Sequence, residues 1–88
     1  MIVLTQKSFD KDIEKISDKK LAFKILSIID TLETVSSVSE INHLKKMKSK
    51  GNYYRIRIGN YRLGFKLEKG VITLLRFMHR KEIYDYFP

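Results

Sequence analysis

The hydrophobic positions of this chain change period once, near residue 50. Before that point they recur at helical spacing. After it they alternate. Ile2 to Leu4 reads as a short strand. Phe9, Ile13 and Ile16 follow at i, i+4 and i+7 and predict a helix with one apolar stripe. Ser8 is placed to cap it, with Asp10 and Asp12 in a first turn where carboxylates suit the helix dipole. Ser17 or Asp18 breaks this helix and caps a second one, whose inner face carries Leu21, Ile25, Ile28, Ile29 and Leu32. Two amphipathic helices joined by so short a break form a helical hairpin. Ser36 to Asn42 reads as a polar connection. Beyond Lys50-Gly51-Asn52, Tyr53 to Ile58 is a strand, Gly59-Asn60 a two-residue turn and Tyr61 to Leu67 the return strand. Glu68-Lys69-Gly70 turns again into Val71 to Met78. That last strand is apolar on both faces up to Arg76, as a central strand would be. Arg80 to Tyr86 is expected as a short helix or an extended tail. The predicted order is β-α-α-β-β-β: an α+β fold with the helical hairpin on a mainly antiparallel sheet, one domain over residues 1–88.

Composition narrows the chemistry. The absence of Cys excludes disulfides, zinc–cysteine sites and a thiol nucleophile. Two histidines, His43 and His79, argue against a structural zinc site, and neither metal nor cofactor is expected. No apolar run is long enough to span a membrane, and the N-terminus lacks the pattern of a signal peptide, so the expected compartment is the cytoplasm. The net charge of +8 is unevenly distributed. Residues 1–44 hold six lysines against seven acidic residues, whereas residues 45–88 hold twelve Lys and Arg against three acidic ones. All five arginines lie in the second half, as does the lysine run Lys45, Lys46, Lys48 and Lys50. A one-sided basic surface selects a polyanion or an acidic protein as partner.

Pairing across the Gly59-Asn60 turn sharpens this. A symmetric loop sets Ile56 opposite Leu63 and Tyr54 opposite Phe65, which makes one apolar face. On the other face Arg57 meets Arg62, and Arg55 meets Gly64, which has no side chain to block it. Like charges directly opposite cost a hairpin up to about 1 kcal/mol, so a merely solvated surface tends to avoid them and an anion-binding one needs them. Arg76 on the same face would make a patch of four guanidinium groups, planar, permanently charged and bidentate toward phosphate. Tyr53, and Tyr84 or Tyr86, offer rings for base stacking. Arg55, Arg57, Arg76, Lys45, Lys46, Lys48 and Tyr53 are therefore the expected RNA-binding set. In the stretch from Leu75 to Tyr84, His79 is a candidate for proton transfer, with Glu82 behind it.

Tyr-Tyr-Arg-Ile-Arg-Ile-Gly-Asn-Tyr-Arg-Leu-Gly-Phe (53–65) and Leu-Leu-Arg-Phe-Met-His-Arg-Lys-Glu-Ile-Tyr (74–84), together with the element order, resemble the RelE/ParE toxin superfamily. In its RelE branch the resemblance implies a ribosome-dependent mRNA interferase that cuts in the A site and is neutralised by a cognate acidic antitoxin wrapped around it. The toxin alone is then expected as a monomer, with larger assemblies once the antitoxin is bound. The ParE branch shares the fold but inhibits DNA gyrase, and a non-catalytic RNA- or ribosome-binding domain is a third reading. Carried onto this chain, Arg62 and Arg80 correspond to residues that stabilise transition-state charge, Arg55 and Arg57 to basic strand residues, often Lys in RelE-type toxins, and Tyr84 to the tyrosine that follows. Two departures stand out. Arginines at 55 and 57 do not serve as a general base as a lysine can. Arg80 and Tyr84 are four apart, closer than in RelE itself, and with Pro88 as the last residue any mobile C-terminal helix is short.

Overall fold

A computed structural model describes residues 1–48 and 51–88; Lys50 of the lysine run lies outside them. The elements run β1 (Ile2–Thr5), α1 (Lys7–Glu14), α2 (Lys19–Thr34), a 3₁₀ turn (Val38–Glu40), β2 (Leu44–Lys46), β3 (Tyr53–Ile58), β4 (Tyr61–Glu68), β5 (Val71–His79) and α3 (Arg80–Tyr86). Among the described residues they form a five-stranded sheet in the order β1-β5-β4-β3-β2, in which β1 and β5 are parallel and the other neighbours antiparallel. Three helices on a mostly antiparallel sheet give the expected α+β class, and β5 is interior as its two-sided apolarity required.

The β3–β4 register is the one that alternation dictates: Tyr54 opposite Phe65, Ile56 opposite Leu63, Arg55 opposite Gly64, Arg57 opposite Arg62. Gly59, at φ 58, supplies the positive dihedral that the tight turn needs, and Lys69 and Gly70 (φ 50 and 77) make the next turn. The strand β2 is a correction to the sequence reading. It is three residues long, and it pairs Leu44 with Ile56, Lys45 with Arg55 and Lys46 with Tyr54. Its two lysines disguise it as a charge run, and they suit an edge strand.

α1 and α2 cover one face of the sheet. Phe9, Ile25, Leu32 and Ile41 pack there on Ile56, Ile58, Leu63, Phe65, Ile72, Leu74 and Phe77. Asp18 caps α2, accepting from the backbone N–H groups of Lys20 and Leu21. α1 begins two residues earlier than expected, with Gln6 at its N-cap and no side-chain cap. Ser8 does not cap it. Its hydroxyl donates instead to the Leu75 carbonyl at 2.6 Å. Asp12 is not in the first turn either. It is buried, and its carboxylate accepts from the Phe77 backbone N–H at 2.9 Å and from Arg76 Nε and Nη2 at 2.8 and 3.0 Å. β1 pairs only with residues 71–74 of β5. Beyond that point the outer edge of β5 is closed by α1 side chains in place of a neighbouring strand.

The register shifts between Gly64/Phe65 and β5: Phe65 faces Leu74 while Gly64 faces Arg76. Leu75 is thus an extra residue. Strict alternation would send Leu74 and Arg76 to the same face. The bulge reverses the parity, so Leu74 and Phe77 both enter the core and Arg76 emerges beside Gly64.

Candidate active site

The sheet face opposite α1 and α2 carries the arginines. Three of them, Arg55 and Arg57 on β3 and Arg62 on β4, line an open depression of about 340 Å³ with His43, Leu44, Lys45 and Tyr84. No carboxylate among the described residues lines it. Among the described residues the ion pairs are Arg76 with Asp12 and Lys66 with Glu68, so the three arginines of the depression enter none of them.

Each guanidinium is held differently. Arg55 is 8% exposed, and the Tyr84 ring lies over it with its centroid 4.8 Å from Cζ. Arg57 is exposed, and its Nη2 donates to His43 Nδ1 at 3.0 Å. Arg62 folds back onto the β3–β4 turn, where Nη1 donates to the Gly59 and Tyr61 carbonyls at 3.0 and 2.9 Å. Partial burial pushes the Arg62 guanidinium below its ordinary pKa, and the charges of Arg55, Arg57 and Arg80 add to the effect while Tyr84 opposes it. The part of this shift that comes from the neighbouring cations is one that an anion would relieve.

α3 crosses this same face. It starts where the Arg80 backbone N–H donates to the Asn60 carbonyl at 2.8 Å, and it ends with Phe87 buried. The Phe87 ring sits on Gly64, where a Cβ would approach it to 2.7 Å, and Tyr53 meets the ring edge-on at 5.9 Å. This brings Tyr84, which is 73% exposed, over Arg55.

The other expected residues separate. Arg76 shares the face but not the cluster. Asp12 engages it, Tyr86 covers it with a centroid 5.3 Å from Cζ, and Phe87 stands on Gly64 between its row and Arg55. Its pKa is raised, first by the hydrogen bond to Asp12. The four-guanidinium patch is therefore three arginines with Arg80 beside them. Lys45, opposite Arg55, borders the depression. Lys46, opposite Tyr54, lies by that ring at 6.0 Å on the helix side, and Lys48 is exposed beyond β2. Tyr53 supports Phe87 and is not a free stacking surface.

His79 and Glu82 are not brought to the arginines. His79 is opposite Tyr61 on the helix face, 5.6 Å from its ring, and its Nδ1 accepts from the Lys81 backbone N–H as the cap of α3. Glu82 borders a separate depression with His79, Asp12 and Lys15. Phe77 and His79 are two apart and share the helix face, a placement that follows from the bulge at Leu75 and that strict alternation from Leu74 would reverse. The sequence reading also left out a residue: His43 lines the arginine depression and touches Arg57. Its signal was faint, a histidine just ahead of a strand too short to recognise.

Comparisons with known proteins converge on one group. The family model described as the ParE toxin of a type II toxin–antitoxin system, parDE, matches residues 3–84. Toxin RelE3 of Methanocaldococcus jannaschii is 40% identical over 88 residues, all of both chains. The RelB–RelE antitoxin–toxin complex from Methanococcus jannaschii superposes with a TM-score of 0.82 at 39% identity, covering 97% of this chain and 99% of that one. The archaeal RelE–RelB complex from Pyrococcus horikoshii gives 0.74 at 25% identity, with coverages of 90% and 93%. A YoeB dimer from Staphylococcus aureus, 18% identical with a TM-score of 0.75 over 91% and 97% of the two chains, shares the fold.

Proposed function

The chain belongs to the ParE toxin family of type II toxin–antitoxin systems, within the RelE/ParE superfamily, and from that membership we propose that it is an endoribonuclease that cuts mRNA in the ribosomal A site. One observation carries the reading: Arg55, Arg57 and Arg62 converge on a depression without carboxylates, under an exposed tyrosine ring. Phosphate is the ligand that three unpaired guanidinium groups fit, and a nucleobase is what a ring beside them stacks.

RNA supplies its own nucleophile. The ribose 2′-hydroxyl attacks the adjacent phosphorus, the 5′ oxygen leaves, and a 2′,3′-cyclic phosphate remains. In this scheme the protein contributes neither a covalent nucleophile nor a metal. Its work is to orient the phosphate through Arg55 and Arg57, to hold a base on Tyr84, and to meet the extra negative charge of the transition state with Arg62 and Arg80. A preorganised donor of that kind is worth about 10²–10³ in rate. The compartment that this function requires is the cytoplasm, where translating ribosomes are.

An acidic antitoxin is the matching partner. Relatives are solved in complex with RelB. On this chain the arginine depression attracts carboxylates, while exposed Phe23 and Leu26 on α2 and Ile2 and Leu4 on the edge strand β1 offer apolar contacts. A second reading, gyrase inhibition without cleavage, is favoured by the ParE description of the matching family model.

The experiment is induction of the toxin followed by mapping of mRNA 5′ ends, with Arg62→Ala alongside. New in-frame ends bearing a 5′-hydroxyl, absent from the variant, support the nuclease. DNA damage without new ends overturns it in favour of the gyrase reading.

A further inference from the structure

The nuclease reading leaves one proton without an acceptor. The 2′-hydroxyl must lose its hydrogen, and the three arginines around the phosphate site cannot take it, because guanidinium stays protonated. The proton-transfer residue that the sequence suggests, His79, is on the opposite face of the sheet. The depression holds one other imidazole.

That imidazole is His43, and its setting is unusual. It is a non-glycine residue at φ 61, in the left-handed region, immediately before β2. Two bonds clamp it to Arg57. Its carbonyl accepts from the Arg57 backbone N–H at 3.1 Å, and its Nδ1 lies 3.0 Å from Arg57 Nη2. A guanidinium nitrogen only donates, so Nδ1 is the acceptor and carries no proton in this arrangement. The Nδ1 lone pair is therefore directed at Arg57, with which His43 lines the phosphate site. The charged and titratable groups around it are Lys45 from β2, Arg55 and Arg57 from β3, Arg62 from β4 and Tyr84 from α3. Histidine is the side chain whose ordinary titration brackets neutral pH, which suits a general base. Strained backbone at such a spot is a feature of functional sites.

Building on the nuclease reading, we propose that His43 is the general base of this enzyme and that Arg57 is the group that holds it ready. In the free toxin the Arg57 guanidinium occupies the Nδ1 lone pair. An incoming RNA phosphate draws that guanidinium onto its own oxygens and frees Nδ1 for the 2′-hydroxyl. The proton moves from O2′ to Nδ1, the O2′–P bond forms, the P–O5′ bond breaks, and the 5′ oxygen departs with the electron pair and takes a proton from water. The imidazolium then returns its proton to solvent. The same contact that leaves Nδ1 without a hydrogen thus also keeps that nitrogen out of reach until a phosphate arrives.

The test uses the full-length toxin, ribosomes programmed with a defined mRNA, and single-turnover cleavage between pH 5 and 8. His43→Asn keeps a residue tolerant of the left-handed backbone and removes the base. His43→Gly relaxes the backbone altogether and opens space at an exposed position. Both variants are expected to stay folded, to bind the programmed ribosome within threefold of wild type, and to cut about a hundredfold more slowly. Wild type is expected to cut faster as pH rises through this range, and that rise is expected to flatten in both variants. Imidazole added to the buffer is expected to restore cleavage by His43→Gly in proportion to its concentration, a response that a purely structural role does not produce. Cleavage by His43→Asn within threefold of wild type, with an unchanged pH profile, overturns the role of His43 and leaves the nuclease reading standing. A wild-type toxin that cuts no mRNA on ribosomes overturns the nuclease reading and His43 with it.

Discussion

Two sets of arginines share one sheet face and have opposite fates. Arg76 is paired with a buried carboxylate, hydrogen-bonded twice to Asp12 and covered by Tyr86. Arg55, Arg57 and Arg62 lie within the width of two strands of it and have no carboxylate partner among the described residues. The first arrangement closes the outer edge of β5 and belongs to folding. The second accumulates positive charge that folding does not require. A protein this small commits charge to function by withholding its counter-charge, and the single bulge at Leu75 decides which side Arg76 joins.

The sharpest way to break that contrast is Arg62→Ala. Cleavage is expected to fall by about 10²–10³, or about 2.7–4 kcal/mol of barrier. Folding stability should move by less than about 1 kcal/mol, since the lost turn contacts are offset by relieved repulsion from Arg57. Single-turnover rates and thermal melting measure both. A collapse in melting temperature would place Arg62 with Arg76 among the structural arginines.

Asp12→Ala tests the other side. Removing one partner of a mostly buried pair costs about 3 kcal/mol, which for a domain of this size lowers Tm by roughly 12–24 °C. The fraction that remains folded should still cut at the wild-type rate. The double variant Asp12→Leu/Arg76→Met should recover most of the stability, because an apolar pair of similar volume replaces the ions. A double variant no better than Asp12→Ala would show that the backbone contact to Phe77, not the ion pair, holds the edge.

Tyr84→Ala is the intermediate case. Loss of a stacked base weakens RNA binding by about 1–3 kcal/mol, while Tm stays nearly constant because the ring is exposed. Tyr84→Phe should bind RNA like wild type. The smallest effect is expected from salt. If three to five phosphates are contacted, log K should fall with log salt at a slope of about −2 to −3.5, and Arg57→Ala should make it shallower by about 0.7. A slope already near zero in the wild type would remove the distinction between the two sets.

How much of this was legible beforehand follows from which interactions are local. The β3–β4 register was readable because it needs only alternation and the Gly59-Asn60 turn, so Arg57 opposite Arg62 and Arg55 opposite Gly64 came out correctly. β2 was not, since three residues carry too little periodicity and two of them are lysines. Asp12 looked like a helix-dipole residue because its partners, Arg76 and Phe77, lie more than sixty residues away. The bulge has no local mark either, because Leu74 and Leu75 are identical in type. His79 drew attention by its neighbours in sequence, whereas His43 gained its place through β2, an element that the sequence hid.

Gly64 and Phe87 have a consequence for how the site is kept in order. The glycine is a keyhole and the ring is its key: with a Cβ 2.7 Å from the ring, no larger residue fits beneath. Tyr84 touches no reagent of folding, yet its position over Arg55 depends on a lock three residues further along the chain. Turning that lock, with Gly64→Ala from below or Phe87→Ala from above, should swing the stacking surface away while Arg55, Arg57 and Arg62 stay on their strands. The last turn of the chain is in that sense a clasp, and a partner that pries it open disarms the toxin without covering a single charge.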